Sequence, residues 1–171
     1  MSEKNTDTKT DTKTNIKTVR ILLVGYKSSG KTTYIKRLYD GDFHKQSQPT
    51  YNIGIYKFPN FDQQNIDVVL LDTSGEEKEF NNQIQSLGMI DGIICFKTYP
   101  TQKVHYMTQV AHQYSGVPIV YVSSFCDQPP HIDFRYVDYS KIEFPFYEIS
   151  SKSCYQLAKP IHVILNKLQI I

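Results

Sequence analysis

The sequence predicts an α/β fold: a mainly parallel sheet of six strands with helices on both faces. Two observations predict it. Short apolar runs alternate with longer amphipathic or polar stretches along most of the 171 residues, the pattern of strands linked by crossover helices. Several polar, Gly-, Asp- or Ser-bearing stretches directly follow apolar runs, so they gather at the carboxyl ends of the strands, where such sheets bind ligands.

The elements follow in order. Residues 1–18 are Thr, Lys, Asp and Asn with almost nothing apolar, and Thr-Asp-Thr-Lys-Thr occurs at 6–10 and again at 10–14. Such a segment cannot offset its ordering entropy and is expected to be disordered. That leaves one domain over 19–171. Its first strand is 19–24, with Arg20-Ile21-Leu22-Leu23-Val24 as a buried run. A helix at about 31–40 ends at Asp40-Gly41, a usual helix stop. After a polar loop at 42–51, residues 52–58 alternate as a strand and 66–71 form a third. The segment 72–83 is polar. Gly92-Ile93-Ile94-Cys95-Phe96 is continuously apolar, hence a central strand. A helix at about 101–114, a strand at 117–122, an irregular Pro-bearing stretch at 127–145 and a short strand at 146–149 follow. A helix over 153–168 closes the chain; its Pro160 either kinks it or marks its true first turn.

Between the first strand and first helix stands Gly25-Tyr26-Lys27-Ser28-Ser29-Gly30-Lys31-Thr32, which has the spacing G-x-x-x-x-G-K-[ST] of a phosphate-binding P-loop. The loop amides and the positive end of the new helix make an anion site. Lys31 can bring a charge to the outer phosphates, and the Thr32 hydroxyl can ligate Mg²⁺. Gly30 permits a backbone geometry that a Cβ would obstruct. Asp72-Thr73-Ser74-Gly75 follows the third strand. Its Asp can hold Mg²⁺ through a water and Gly75 can place its N–H on a terminal phosphate, or the segment is a plain turn. Asp127 follows the fifth strand and can accept hydrogen bonds from N1–H and the 2-amino group of guanine, or it is a turn Asp. Ser150-Ser151-Lys152 follows the sixth; its amides can donate to guanine O6, and a serine there can cap the last helix.

Composition excludes several classes. Apolar content of 40% and 21% charge fit an ordinary globule. A net charge of +2 gives no field for nucleic acid. Cys95, Cys126 and Cys154 are too scattered for a disulfide framework or a zinc site, which makes a reducing intracellular compartment, cytoplasm or nucleus, the expectation. The five histidines show no metal-ligand spacing. No run reaches the ~18 apolar residues of a membrane span. Ser2 is not the Gly of a myristoylation signal, and Leu168-Gln169-Ile170-Ile171 holds no prenylatable Cys, so no membrane anchor is expected.

The order of these motifs resembles that of Ras-superfamily small GTPases over nearly all of 19–168. Within the superfamily the likeness is to the Ran branch, in Gly30-Lys31-Thr32-Thr33-Tyr34-Ile35-Lys36-Arg37, in Tyr51-Asn52-Ile53-Gly54-Ile55, and in Tyr147 to Ser153 followed by Lys159-Pro160. The resemblance implies a P-loop NTPase of the G-domain type, binding GTP or GDP with Mg²⁺ and sensing it through two loops, about 42–52 and 73–87. It implies nucleotide contacts from Gly25, Lys27, Ser28, Ser29, Gly30, Lys31, Thr32, Thr33, Gly75, Ser124, Phe125, Asp127, Ser150, Ser151 and Lys152. Phe43 falls where the family stacks a ring on guanine, and Thr50 where a switch threonine joins Thr32 and Asp72 around Mg²⁺. Implied partners are the nucleotide and protein effectors or transport factors, met by a monomer.

The departures are equally specific. Where the family has the Gln that orients the attacking water, this chain has Glu76, which cannot donate to phosphate oxygens. Where glycines are usual in the loop, it has Lys27 and Ser28. Lys27 and Glu76 can pair and hold the site slow, or Lys27 can act as a cation supplied in cis. The residues set to act on hydrolysis are thus Lys31, Glu76 and Lys27. The base-reading Asn-Lys-x-Asp becomes Ser124-Phe125-Cys126-Asp127. A Ran-like switch with slow GTP hydrolysis is the leading function, linked through likeness to nucleocytoplasmic transport. The alternatives are a nucleotide-binding module that engages partners without turnover, and a small-molecule kinase, for which the chain's three arginines are few.

Overall fold

In the computed structural model the described residues are 16–43, 48–97, 110, 113–124 and 146–171. They form β1 (Lys17–Gly25), α1 (Lys31–Asp40), β2 (Gly54–Phe58), β3 (Ile66–Asp72), α2 (Glu77–Ile84), β4 (Gly92–Lys97), β5 (Ile119–Ser123), β6 (Phe146–Glu148) and α3 (Lys159–Lys167). The six strands make one sheet in the order β2-β3-β1-β4-β5-β6. Only β2 is antiparallel to its neighbour, at the sheet edge. The α/β class and the strand count match the expectation. The stretches expected as a tail (1–18, save its last three residues), a helix (101–114, save Val110, Gln113 and Tyr114) and an irregular segment (127–145) lie outside the described residues.

Strand side chains alternate between two cores. Val19, Ile21, Leu23, Val68, Leu70, Ile94, Phe96, Val120 and Val122 face one side, where Tyr34 and Ile35 of α1 and Ile161, Ile164 and Leu165 of α3 cover them. Leu22, Val24, Leu71, Ile93 and Cys95 face the other, covered by Phe80 and Ile84 of α2 and by Val110. A sheet covered on both faces explains why the central strands read as continuous apolar runs rather than alternating ones. Burial raises the Cys95 thiol to about 12, consistent with a packing residue.

Several boundaries differ from the sequence reading; β5, for one, begins two residues late, at Ile119. β1 begins at Lys17, inside the expected tail, because β3 offers backbone partners down to Ile66, and pairing needs no apolar side chain. β2 begins two residues late, at Gly54. α3 begins at Lys159 with Pro160 in its first turn, so the proline starts the helix rather than kinking it. The segment 72–83 was expected to be polar and unassigned, yet Glu77–Ile84 is helical. Only Phe80 and Ile84 give it an apolar stripe, at the i, i+4 spacing of one helical face.

The register of β4 against α3 is tight. A Cβ at Gly92 would stand 2.4 Å from Ile164 Cγ2. Gly92→Ala should therefore destabilise the fold by about 1–3 kcal/mol through overpacking. Urea unfolding should show a lower midpoint at unchanged slope, and Gly92→Ala with Ile164→Ala should lose less than the sum of the singles.

Candidate functional site

Parallel pairing brings the functional loops to one edge. In register, Leu23 lies beside Asp72 and Gly25 beside Phe96, while Lys97 lies beside Ser123. The loops that leave these strands are then joined by short bonds. The Thr73 hydroxyl donates to the Leu23 carbonyl (2.6 Å) and the Ser124 hydroxyl to the Ser29 carbonyl (2.5 Å). The Lys27 N–H donates to the Gly75 carbonyl at 3.0 Å. That last contact requires glycine: a Cβ at Gly75 would stand 2.3 Å from the Lys27 nitrogen.

The P-loop turns through Gly30 at φ 92°, a left-handed conformation suited to glycine, and α1 starts there with no side-chain cap. The Lys27 and Ser29 amides are used by Gly75 and Tyr26 carbonyls. The anion cradle is therefore left to the Ser28 and Gly30 amides and to the first turn of α1. An open cleft lies over it. Its wall includes residues 27–32, Thr50, Tyr51 and 73–76.

Two opposite charges are buried beneath this cleft. Lys31 Nζ donates to the carbonyls of Gly25 (2.7 Å) and Tyr26 (3.1 Å). Burial lowers its pKa to about 8 against a smaller opposing pull from Asp72. Asp72 Oδ2 accepts from the Thr32 hydroxyl (2.7 Å) and from Thr50 (3.4 Å), whose oxygens are 3.1 Å apart. Burial raises the Asp72 pKa, opposed by those hydroxyls and by Lys31 and Lys36. Its Oδ1 is buried without a hydrogen-bond partner. One spare carboxylate oxygen beside two converging hydroxyls is an oxygen donor set that fits Mg²⁺.

A second charge pair lies at the mouth. Lys27 Nζ and Glu76 Oε1 are 3.1 Å apart, with side chains 62% and 54% exposed. Of the two alternatives open to these loop residues, the ion pair is the one the ligand-free structure contains.

A family model described as the Ras family matches residues 20–170. The chain belongs to the Ras family. It is thus a small GTP-binding switch protein, and proteins of this family bind GTP or GDP with Mg²⁺. The Ras-family motifs can now be placed. Lys27, Ser28, Ser29, Gly30, Lys31, Thr32, Thr50, Gly75 and Glu76 all line the cleft, with Asp72 bonded to Thr32 from below. Gly25 supplies a carbonyl to Lys31, and Thr33 is half-buried in α1. Phe43 is exposed beyond α1 and is not part of the cleft wall. Ser150 and Ser151 are buried after β6 and Lys152 is exposed. Phe125 and Asp127 lie outside the described residues. The cap role read for the serines fails: α3 starts eight residues after Ser151, and the Ser150 hydroxyl accepts the Ser153 N–H instead (3.2 Å).

The sequence reading missed Gln83 and Glu79. Glu79 lines the cleft from the first turn of α2. Buried Gln83 contacts both nucleotide-sensing loops. The Phe80–Ile84 spacing, preceded by two glutamates suited to a helix N-terminus, was the available signal for α2.

The depressed Lys31 pKa carries a sign. Between about 8 and 10.5 the unfolded chain keeps a proton that the folded one has lost. Stability of the ligand-free protein should therefore rise with pH across that window, by about 3 kcal/mol relative to Lys31→Met. Urea melts of both proteins along a pH series check it.

Proposed function

We propose that this protein is a Ran-like GTP-binding switch whose own residues make GTP hydrolysis slow. The observation that carries the reading is the Lys27–Glu76 pair, 3.1 Å apart over the phosphate cradle. Glu76 stands where the family orients an attacking water, but a carboxylate cannot donate to phosphate oxygens and repels them. Its charge is held by Lys27, so neither group is placed to stabilise charge developing on a departing phosphate. Phosphates would lie against Lys31 and the α1 amides. Thr32, Thr50 and Asp72 would hold Mg²⁺, which when bound offsets phosphate charge.

The likeness of three segments to Ran supports a role in transport between nucleus and cytoplasm, with effectors or transport factors read by the loops at about 42–52 and 73–87. Guanine preference is assigned to Asp127, with Phe125 stacking on the base and the amides of 150–152 on its O6. Ser124 keeps the tie to the P-loop with a shorter group than the family's Asn. Nucleotide binding without turnover is the second reading, favoured by the same pairing of Glu76.

Two measurements test this. Mass spectrometry of copurified ligand should find GDP or GTP, and Mg²⁺-dependent uptake of guanine nucleotide should be lost in Lys31→Ala. Absence of uptake by the wild type would refute the switch. In single-turnover assays Lys27→Gly and Glu76→Gln should each speed hydrolysis on the order of tenfold or more. Rates untouched by both changes would sink the pairing argument, and no hydrolysis in any variant would select the binding module.

A further inference from the structure

One side chain outside the recognised motifs spans both sensing loops. Gln83 sits on α2 between Phe80 and Ile84 and is 8% exposed. Its Oε1 accepts the Ser74 N–H at 2.8 Å, and its Nε2 donates to the Tyr51 carbonyl at 3.0 Å. The two partners dictate the amide's orientation, since an N–H needs an acceptor and a carbonyl a donor. Ser74 lies between Asp72 and Gly75. Tyr51 follows Thr50, whose hydroxyl lies 3.1 Å from that of Thr32 and 3.4 Å from Asp72 Oδ2. The base of this bridge is firm, because Phe80 is 1% exposed in the core. Without the amide, the buried Ser74 N–H and the part-buried Tyr51 carbonyl would lose these bonds.

We propose that Gln83 is a positioning residue that couples the two loops, so that Thr50 and Gly75 reach the phosphate end of the cleft together. This rests on the cleft being the nucleotide seat. A ligand that needs both loops in place then meets them already arranged by the chain. Its apparent affinity is higher by the inverse of the arranged fraction that would remain without the bridge. The chemistry is specific to an amide. An ionised Glu at this position accepts from Ser74 but cannot donate to Tyr51. Met fills the same space and does neither.

Hydrogen exchange followed by mass spectrometry on the full chain tests the coupling directly. In Gln83→Met, amides in both 48–52 and 73–76 should exchange about tenfold faster, with the melting midpoint confirming a folded protein. In Gln83→Glu, 48–52 should quicken while Ser74 stays protected. This asymmetry would not arise from lost packing alone. Unchanged exchange at 48–52 in a folded variant of either kind would overturn the proposal. In a binding arm, Gln83→Met should weaken a non-hydrolysable GTP analogue about tenfold while leaving GDP affinity within twofold. Equal weakening of both would also overturn it. If the wild type binds neither nucleotide, the functional reading fails, and the exchange arm still decides whether Gln83 couples the loops.

Discussion

A buried ammonium and a buried carboxylate at the carboxyl edge of the sheet set the terms for the site. Taking each charge out of water costs several kcal/mol unless partners replace the lost hydration. Lys31 receives two backbone carbonyls, and Asp72 receives the Thr32 and Thr50 hydroxyls. These partners do not complete the compensation. Burial still drives the Lys31 pKa down and the Asp72 pKa up, each toward loss of charge, and Asp72 Oδ1 has no partner. The arrangement is thus tuned for ligands that answer both charges at once: an anion against Lys31 and a cation against Asp72.

The sheet can hold such a site because its register leaves little freedom to the loops. Parallel pairing puts the exits of β1, β3, β4 and β5 side by side, and three bonds then fix the loops to one another. Two come from hydroxyls, Thr73 to Leu23 and Ser124 to Ser29, and one from the Lys27 amide to Gly75. Both α1 and α2 begin without a side-chain cap, and both helix starts reach the cleft. The first turn of α2 carries Glu77 and Glu79, which satisfy its own dipole with negative charge and make it a poor anion seat. The P-loop end of the cleft is therefore the better seat for an anion, while α2 supplies an acidic wall and the Gln83 bridge.

What could be read from the sequence follows from what each signal depends on. The P-loop, Asp72 and the central strands were legible because their chemistry is local: a glycine spacing, a carboxylate at a strand end, or an unbroken apolar run. α1 was legible to its last residue, since Gly41 ends it in a left-handed cap. α2 was not, because two apolar residues in eight give a weak period, and its helicity depends on Phe80 and Ile84 finding the core. Gln83 was hidden for a related reason. A glutamine becomes a bridge only when tertiary packing brings Tyr51 and Ser74 to its two ends. The Lys27–Glu76 pair was legible only after the family resemblance placed two loops face to face. The serines at 150 and 151 were misread because a cap is assigned from the helix start, and α3 starts later than its polar approach suggests.

Depth separates what this chain keeps from what it changes. Lys31 and Asp72, the charged groups that would meet phosphate and metal, are buried and bonded to their neighbours, so altering them disturbs the fold as well as the site. Lys27 and Glu76 are more than half exposed, and an exposed pair of this kind contributes about 0–1 kcal/mol to stability. Substitutions at such positions can reset the chemistry of a bound triphosphate at almost no cost to the domain. Family membership carries the GTP-binding fold to this chain, whereas the groups set to act on hydrolysis at the mouth are two exposed side chains.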